Sequence, residues 1–220
     1  MDSPPLPSPL DPLELAGFDF HPVVVLPSDY EVYDFTRGYD PNRVLRSPYG
    51  VGRYDEKRAG MYETPLFGGV RNIHVGVDLA GPVGEPIHAF WDGVVHRFGY
   101  NAAVGDYGYT LVTEHLFGQR RLWALHGHLS AASIAGRHEG QAVRRGEVIA
   151  WLGDRHENGG WNPHLHFQLS VVAPEVADLP GVVAEEDRAE ALRRYPDPRL
   201  VLGSLYLDQV LQATPDGWLL

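Results

Sequence analysis

Pro163-His164-Leu165-His166-Phe167-Gln168-Leu169-Ser170-Val171 alternates polar and apolar side chains. Successive side chains of a strand point to opposite faces, so this run predicts a β-strand with both imidazoles on one face. Leu165 and Phe167 then pack on the other. Similar short runs recur upstream at His74–Asp78, Pro86–Ala89, Gly93–Phe98, Tyr109–Glu114, Arg121–His128 and Glu147–Leu152. Turn formers such as Gly81-Pro82, Asp92-Gly93 and Asn158-Gly159-Gly160 separate them, which is the pattern of an all-β chain. One segment, Glu185–Arg194, reads as a helix, stopped by Pro196 and Pro198. His21–Leu26 reads as a short strand before Pro27. Residues 1–17, rich in Pro, are predicted irregular, and residues 41–70, rich in Gly, Pro and Tyr, are predicted to be loop.

The expected fold is therefore mostly β: an antiparallel, sandwich-like domain over residues 71–173. An irregular N-terminal extension, 1–70, precedes it, and a C-terminal extension, 174–220, with one short helix follows it. Charge divides along the same lines. The first 40 residues carry eight acidic groups against one basic, and residues 174–220 carry nine against four. With 29 acidic and 18 basic residues the formal net charge is -11, which opposes binding to nucleic acid or to an anionic membrane. No stretch approaches the length of an apolar membrane span. The first 20 residues show neither a basic n-region nor a long apolar segment, so the sequence predicts a cytoplasmic location.

The chain has no cysteine, so any metal must be held by His, Asp or Glu. It has 11 histidines. In His74-Val75-Gly76-Val77-Asp78 an imidazole and a carboxylate four residues apart share a face of an extended segment. Asp78 sits between Val77 and Leu79, and a buried carboxylate is costly unless paired or metal-bound. His74, Asp78 and a histidine of His164-Leu165-His166 make a reasonable zinc set, leaving a fourth position for water. Leu125-His126-Gly127-His128-Leu129-Ser130 places two more histidines on one strand face by simple alternation. A histidine near the metal but not bound to it can exchange protons near neutral pH. Taken singly, each motif also has a plain structural explanation.

Together and in this order, His74-x-Gly76-x-Asp78, His128 in a Gly-His-Leu-Ser setting and Pro163-His164-Leu165-His166-Phe167 resemble the lysostaphin-type (LytM-like) zinc metallopeptidases. Gly84–Ala89 with Asp92–Val95, and Gly140–Val143 with Gly146–Ile149, resemble that family's intervening segments. The resemblance covers about residues 70–172. It implies zinc held by His74, Asp78 and His166, with His128 and His164 as catalytic histidines, and hydrolysis of an amide bond in a peptide or peptidoglycan-like substrate. It also implies an antiparallel sheet with the metal in a groove across its face. The alternative is a binding or scaffold module whose zinc is closed by a fourth protein ligand, His126 or His128. His126 stands where the family often has Tyr, and is an additional candidate groove residue. Trp161-Asn162-Pro163 enlarge the loop beside the last motif and would narrow the groove. His88, His96, His115, His138 and His156 match no metal position and read as structural or surface residues.

Overall fold

The computed structural model describes residue 8, residues 10–40 and residues 46–206 of the 220-residue chain. The described residues form thirteen strands: β1 (Glu31–Val32), β2 (Gly50–Gly52), β3 (Glu56–Lys57), β4 (Ile73–His74), β5 (Val77–Ala80), β6 (Pro86–His88), β7 (Gly93–Asn101), β8 (Gly108–Phe117), β9 (Arg120–Leu129), β10 (Ala142–Val143), β11 (Val148–Trp151), β12 (His164–Ser170) and β13 (Val182–Val183). Eight form one sheet in the order β1-β2-β5-β12-β9-β8-β7-β10, while β11 pairs with β6, and β4 lies between β13 and β3. Every pairing is antiparallel except the short parallel contact of β1 with β2.

The alternation in β12 and β9 builds two cores. Leu165, Phe167 and Leu169 of β12 join Leu122 and Ala124 of β9 on one face, against Ile87, Ile149 and Phe90. Trp123 and Leu125 of β9 face the other way, into a second cluster with Ile73, Val75, Tyr107 and Leu179. Burial of such apolar surface contributes about 25 cal/mol per Å². The site lies on the second face.

Several expectations give way here. Residues 46–70 are not loop throughout, residues 41–45 lying outside the described residues: β2 pairs with β5, and β3 pairs with β4, so the N-terminal extension enters the eight- and three-stranded sheets. The C-terminal flank also enters, because β13 pairs with β4 and Leu179, Val183, Ala191 and Tyr195 join the second core. Boundaries at 70 and 173 thus separate strands that pair with one another. These strands are short and carry Gly and charged residues, so their sequence lacks the apolar periodicity that marks longer ones. His21–Leu26 forms no strand, although His88 N–H donates to the Val23 carbonyl at 2.8 Å. Within the Pro-rich start, Asp11 and Glu14 form a reciprocal capping box on a four-residue helix, α1 (Pro12–Leu15). The rest of that reading, at residues 1–7 and 9, lies outside the described residues. Glu185–Arg194 divides into one 3-10 turn, Glu185–Asp187, and α2 (Arg188–Arg194).

His115 illustrates a histidine used for structure. It is buried against the first core, its ring 4.2 Å from that of Phe90 and tilted to it, with Nε2 2.7 Å from Thr113 Oγ1 and Nδ1 donating to the Asp92 carbonyl at 3.1 Å. Burial pushes its pKa down to about 4. The folded value lies below the unfolded one, about 6.5, so its contribution is complete above that pH and is lost as pH falls toward 4. At pH 5 the loss is about 2 kcal/mol. Urea unfolding of the metal-free protein at pH 7 and pH 5 should show a stability drop that is smaller by this amount in a His115→Phe variant. An equal drop in both proteins would contradict the assignment.

Candidate metal centre and active-site cavity

His166 of β12 lies directly opposite Asp78 of β5, and His74 ends β4 just before the Val75-Gly76 link between β4 and β5. A Cβ on Gly76 would sit 2.5 Å from His166 Cε1. The glycine of His-x-Gly-x-Asp is therefore required because the imidazole occupies the space a side chain would need.

The outer nitrogens of the two imidazoles are held by carbonyl oxygens. His74 Nδ1 donates to the Arg53 carbonyl at 2.9 Å, and His166 Nε2 donates to Gln168 Oε1 at 2.9 Å. With those protons committed, the inner nitrogens carry lone pairs. His74 Nε2 and His166 Nδ1 are 3.1 Å apart, and each is 3.2 Å from Asp78 Oδ1. Three buried acceptors facing one another are unfavourable without a cation among them. Ligands about 2.0–2.1 Å from a tetrahedral ion stand about 3.3 Å apart, so the spacing fits a small four-coordinate metal with one position left over. Among the described residues this is the one group of three or more His, Asp or Glu able to hold a metal. Burial opposes the Asp78 charge, but His74 and Arg58 outweigh it and hold its pKa well below the usual value. Burial and the neighbouring Arg58 charge push His74 down to about 4.

His128 reaches the same face by an irregularity. The β8–β9 register slips between Tyr109↔Leu129 and Leu111↔His126, and His128 has φ 64°. A non-glycine residue held in the left-handed region costs about 1–3 kcal/mol and persists where the surroundings enforce it. The bulge reverses the alternation, so His126 and His128 do not share a face. His126 lies opposite Phe167, its ring 5.3 Å from that ring, on the side away from His166. It donates from Nδ1 to the Leu111 carbonyl, while its buried Nε2 has no partner. Burial lowers its pKa to about 3, so it is a neutral core residue and not a groove residue. Simple alternation could not reveal this. Gly127 is the only hint, since a Cβ there would meet Tyr107 at 2.6 Å.

His128 and His164 face each other, ring centroids 4.3 Å apart. Both donate from Nδ1 to backbone carbonyls, His128 to Asn158 at 2.8 Å and His164 to Asn162 at 2.6 Å. Their Nε2 atoms are left as bases, and that of His164 lies 3.8 Å from Asp78 Oδ1. Burial lowers both pKa values, which keeps the rings neutral at pH 7. Asn158, read as a turn residue, is fully buried and organises this loop. Its amide donates to the Gly153 and Trp161 carbonyls, and its oxygen accepts from Gly160 and Trp161 N–H.

All five residues line a cavity of about 1050 Å³, walled also by Tyr62, Tyr107 and Trp161. The enlarged loop reaches the N-terminal extension, where Asn162 Nδ2 donates to Tyr39 Oη at 3.3 Å. That extension also supplies a residue the sequence reading missed. Arg58 is fully buried and donates from Nη1 to Asp78 Oδ2 at 2.7 Å and from Nε to Glu56 Oε2 at 3.0 Å.

Residues 72–177 match the family model described as Peptidase family M23. Through this segment the chain belongs to peptidase family M23. Among curated M23 relatives, DD-carboxypeptidase/endopeptidase Mpg of Neisseria meningitidis serogroup B is 34% identical over 134 residues, 54% of this chain and 28% of that protein. Peptidoglycan DD-endopeptidase ShyC of Vibrio cholerae is 31% identical over 172 residues, 69% of this chain and 36% of that protein. Glycyl-glycine endopeptidase ALE-1 of Staphylococcus capitis is 33% identical over 109 residues, 50% of this chain and 27% of that protein. The chain therefore spans only 27–36% of the length of these three. An M23 peptidase uses a metal, and the His74, Asp78 and His166 donors can hold one.

Proposed function

We propose that this protein is a zinc-dependent peptidase that hydrolyses an amide bond in a peptide of the peptidoglycan type. The observation that carries the reading is the triangle of lone-pair donors at 3.1–3.2 Å, flanked by two neutral imidazoles with bare Nε2 atoms. Two nitrogens and one carboxylate oxygen are a zinc donor set with an open position. Bound there, zinc would lower the pKa of a coordinated water and polarise the scissile carbonyl.

The chain's own residues supply the rest. The Nε2 atoms of His128 and His164 are the available bases for the proton of the attacking water, and the resulting imidazolium can return it to the leaving nitrogen. Asn158 and Asn162 fix the two rings through their carbonyls, so each presents the same nitrogen to the cavity. Tyr107 and Trp161 give the cavity walls that would exclude bulk water. The substrate class comes from the relatives' names, two of which specify DD-endopeptidases or carboxypeptidases and one a glycyl-glycine endopeptidase.

The test is metal content together with digestion of cross-linked muropeptides and of pentaglycine, followed by chromatography. About one zinc per chain and cleavage of either substrate is the expected result. A protein that takes up no zinc, or that holds zinc and cleaves neither, would overturn the reading.

A further inference from the structure

The metal centre has an outer layer that comes from beyond the family segment. Arg53 and Arg58 lie in the N-terminal extension, before residue 72. Arg53 offers its carbonyl to His74 Nδ1, and Arg58 offers its guanidinium to Asp78 Oδ2. Two of the three metal donors are thus oriented by one short stretch around β3.

Charged side chains link that stretch into a chain. Asp34 pairs with Arg53 at 2.7 Å, Arg53 with Glu56 through Nε at 2.8 Å, Glu56 with Arg58 at 3.0 Å, and Arg58 with Asp78 at 2.7 Å. Signs alternate along it, and it runs from the half-exposed Asp34 to the buried ligand. Tyr62 Oη lies 3.0 Å from Arg58 Nη1, and the guanidinium stacks 4.9 Å above the Phe35 ring. The fit leaves no slack: a Cβ on Gly52 would meet both Arg58 Nη2 and Asp78 Oδ2 at 2.8 Å.

A buried arginine is expensive to place, and a hydrophobic group would suit a purely structural position as well. What the guanidinium does here is occupy one oxygen of the carboxylate while the other faces the two imidazoles. We propose that Arg58 is a positioning residue of the metal centre, holding Asp78 as a one-oxygen ligand and keeping the remaining coordination position open for water. The neighbouring Glu56 cancels most of the repulsion that a bare arginine would exert on a dication. Without Arg58, the freed Oδ2 can turn onto the metal and close that position.

This inference rests on the metal-peptidase reading, and its test separates the two. Zinc affinity would be measured by competition with a chromophoric chelator for the full chain and for Arg58→Lys and Arg58→Met. The Co(II)-loaded proteins would be compared by visible absorption, which is intense for four-coordinate cobalt and weaker once a fifth ligand binds. Loss of such an outer partner typically weakens metal binding by about 10–100-fold. Arg58→Met should show that loss together with a weakened cobalt band. Arg58→Lys, which keeps the charge and one donor, should recover part of both, and it serves alone if the Met variant does not fold. Wild-type affinity and an unchanged cobalt band in either folded variant would overturn the proposal while leaving the peptidase reading intact. Tighter zinc binding without Arg58 would also overturn it, since that would make the arginine an inhibitor of loading. No metal uptake by the wild-type chain would sink both.

Discussion

His128→Ala is expected to lower peptide hydrolysis by about 10²–10⁴-fold, the usual weight of a positioned acid–base group, while zinc content stays at that of the wild type. The separation of the two readouts follows from the geometry. His128 has its Nδ1 proton tied to the Asn158 carbonyl and is not one of the three converging donors. Its removal takes away a base and leaves the ligand triangle untouched. Alanine keeps a Cβ at φ 64°, so the substitution relieves no backbone strain, and the loss of the buried ring lowers stability in the manner of a large-to-small core change. Zinc analysis beside a steady-state assay checks this, and full activity in the variant would remove His128 from the chemistry.

Asp78→Asn is expected to empty the metal site and abolish hydrolysis together. The carboxylate is the only anionic donor of the three, and an amide cannot replace its charge. The change also strips Arg58 of one of its two acidic partners. Breaking a buried ion pair by removing one member costs about 3–5 kcal/mol, so the variant should unfold at lower urea even without metal. Zinc content, activity and urea titration should all move. If the metal-free variant is as stable as the metal-free wild type, the Arg58–Asp78 pair is not the buried contact described.

The main sheet was legible where strands are long and alternate. β12 and β9 announce themselves as alternating or continuous apolar runs between turn signals; His164 and His166 sit on β12, while His74 and Asp78 sit on the short β4 and β5. Residue chemistry marked His74, Asp78 and a histidine of His164-Leu165-His166 as candidates, and the resemblance to the lysostaphin-type family implied that His166 completes the set. The short strands β2 and β3 were not legible. Three glycine-rich residues and a Glu-Lys pair carry no periodicity, and their place in the sheets is fixed by pairing with distant partners. Arg58 was invisible for a related reason: in sequence a charged residue between Lys57 and Ala59 reads as surface. Its burial depends on Asp78, Glu56 and Tyr62 arriving together in the fold. His126 was misplaced because alternation assumes a regular ladder, and the bulge that breaks it leaves only a glycine as trace.

That bulge has a consequence for how the protein can vary. Upstream of Gly127 the odd-numbered side chains of β9, such as Trp123 and Leu125, own the cavity side; past it, His128 does, and Leu129 returns to the first core. The identity of the base is thus set by counting as much as by chemistry. Inserting one residue between Leu125 and His128 would keep every histidine in the chain yet shift the alternation by one and turn the His128 imidazole out of the cavity. For this strand, length is inherited as strictly as any catalytic side chain.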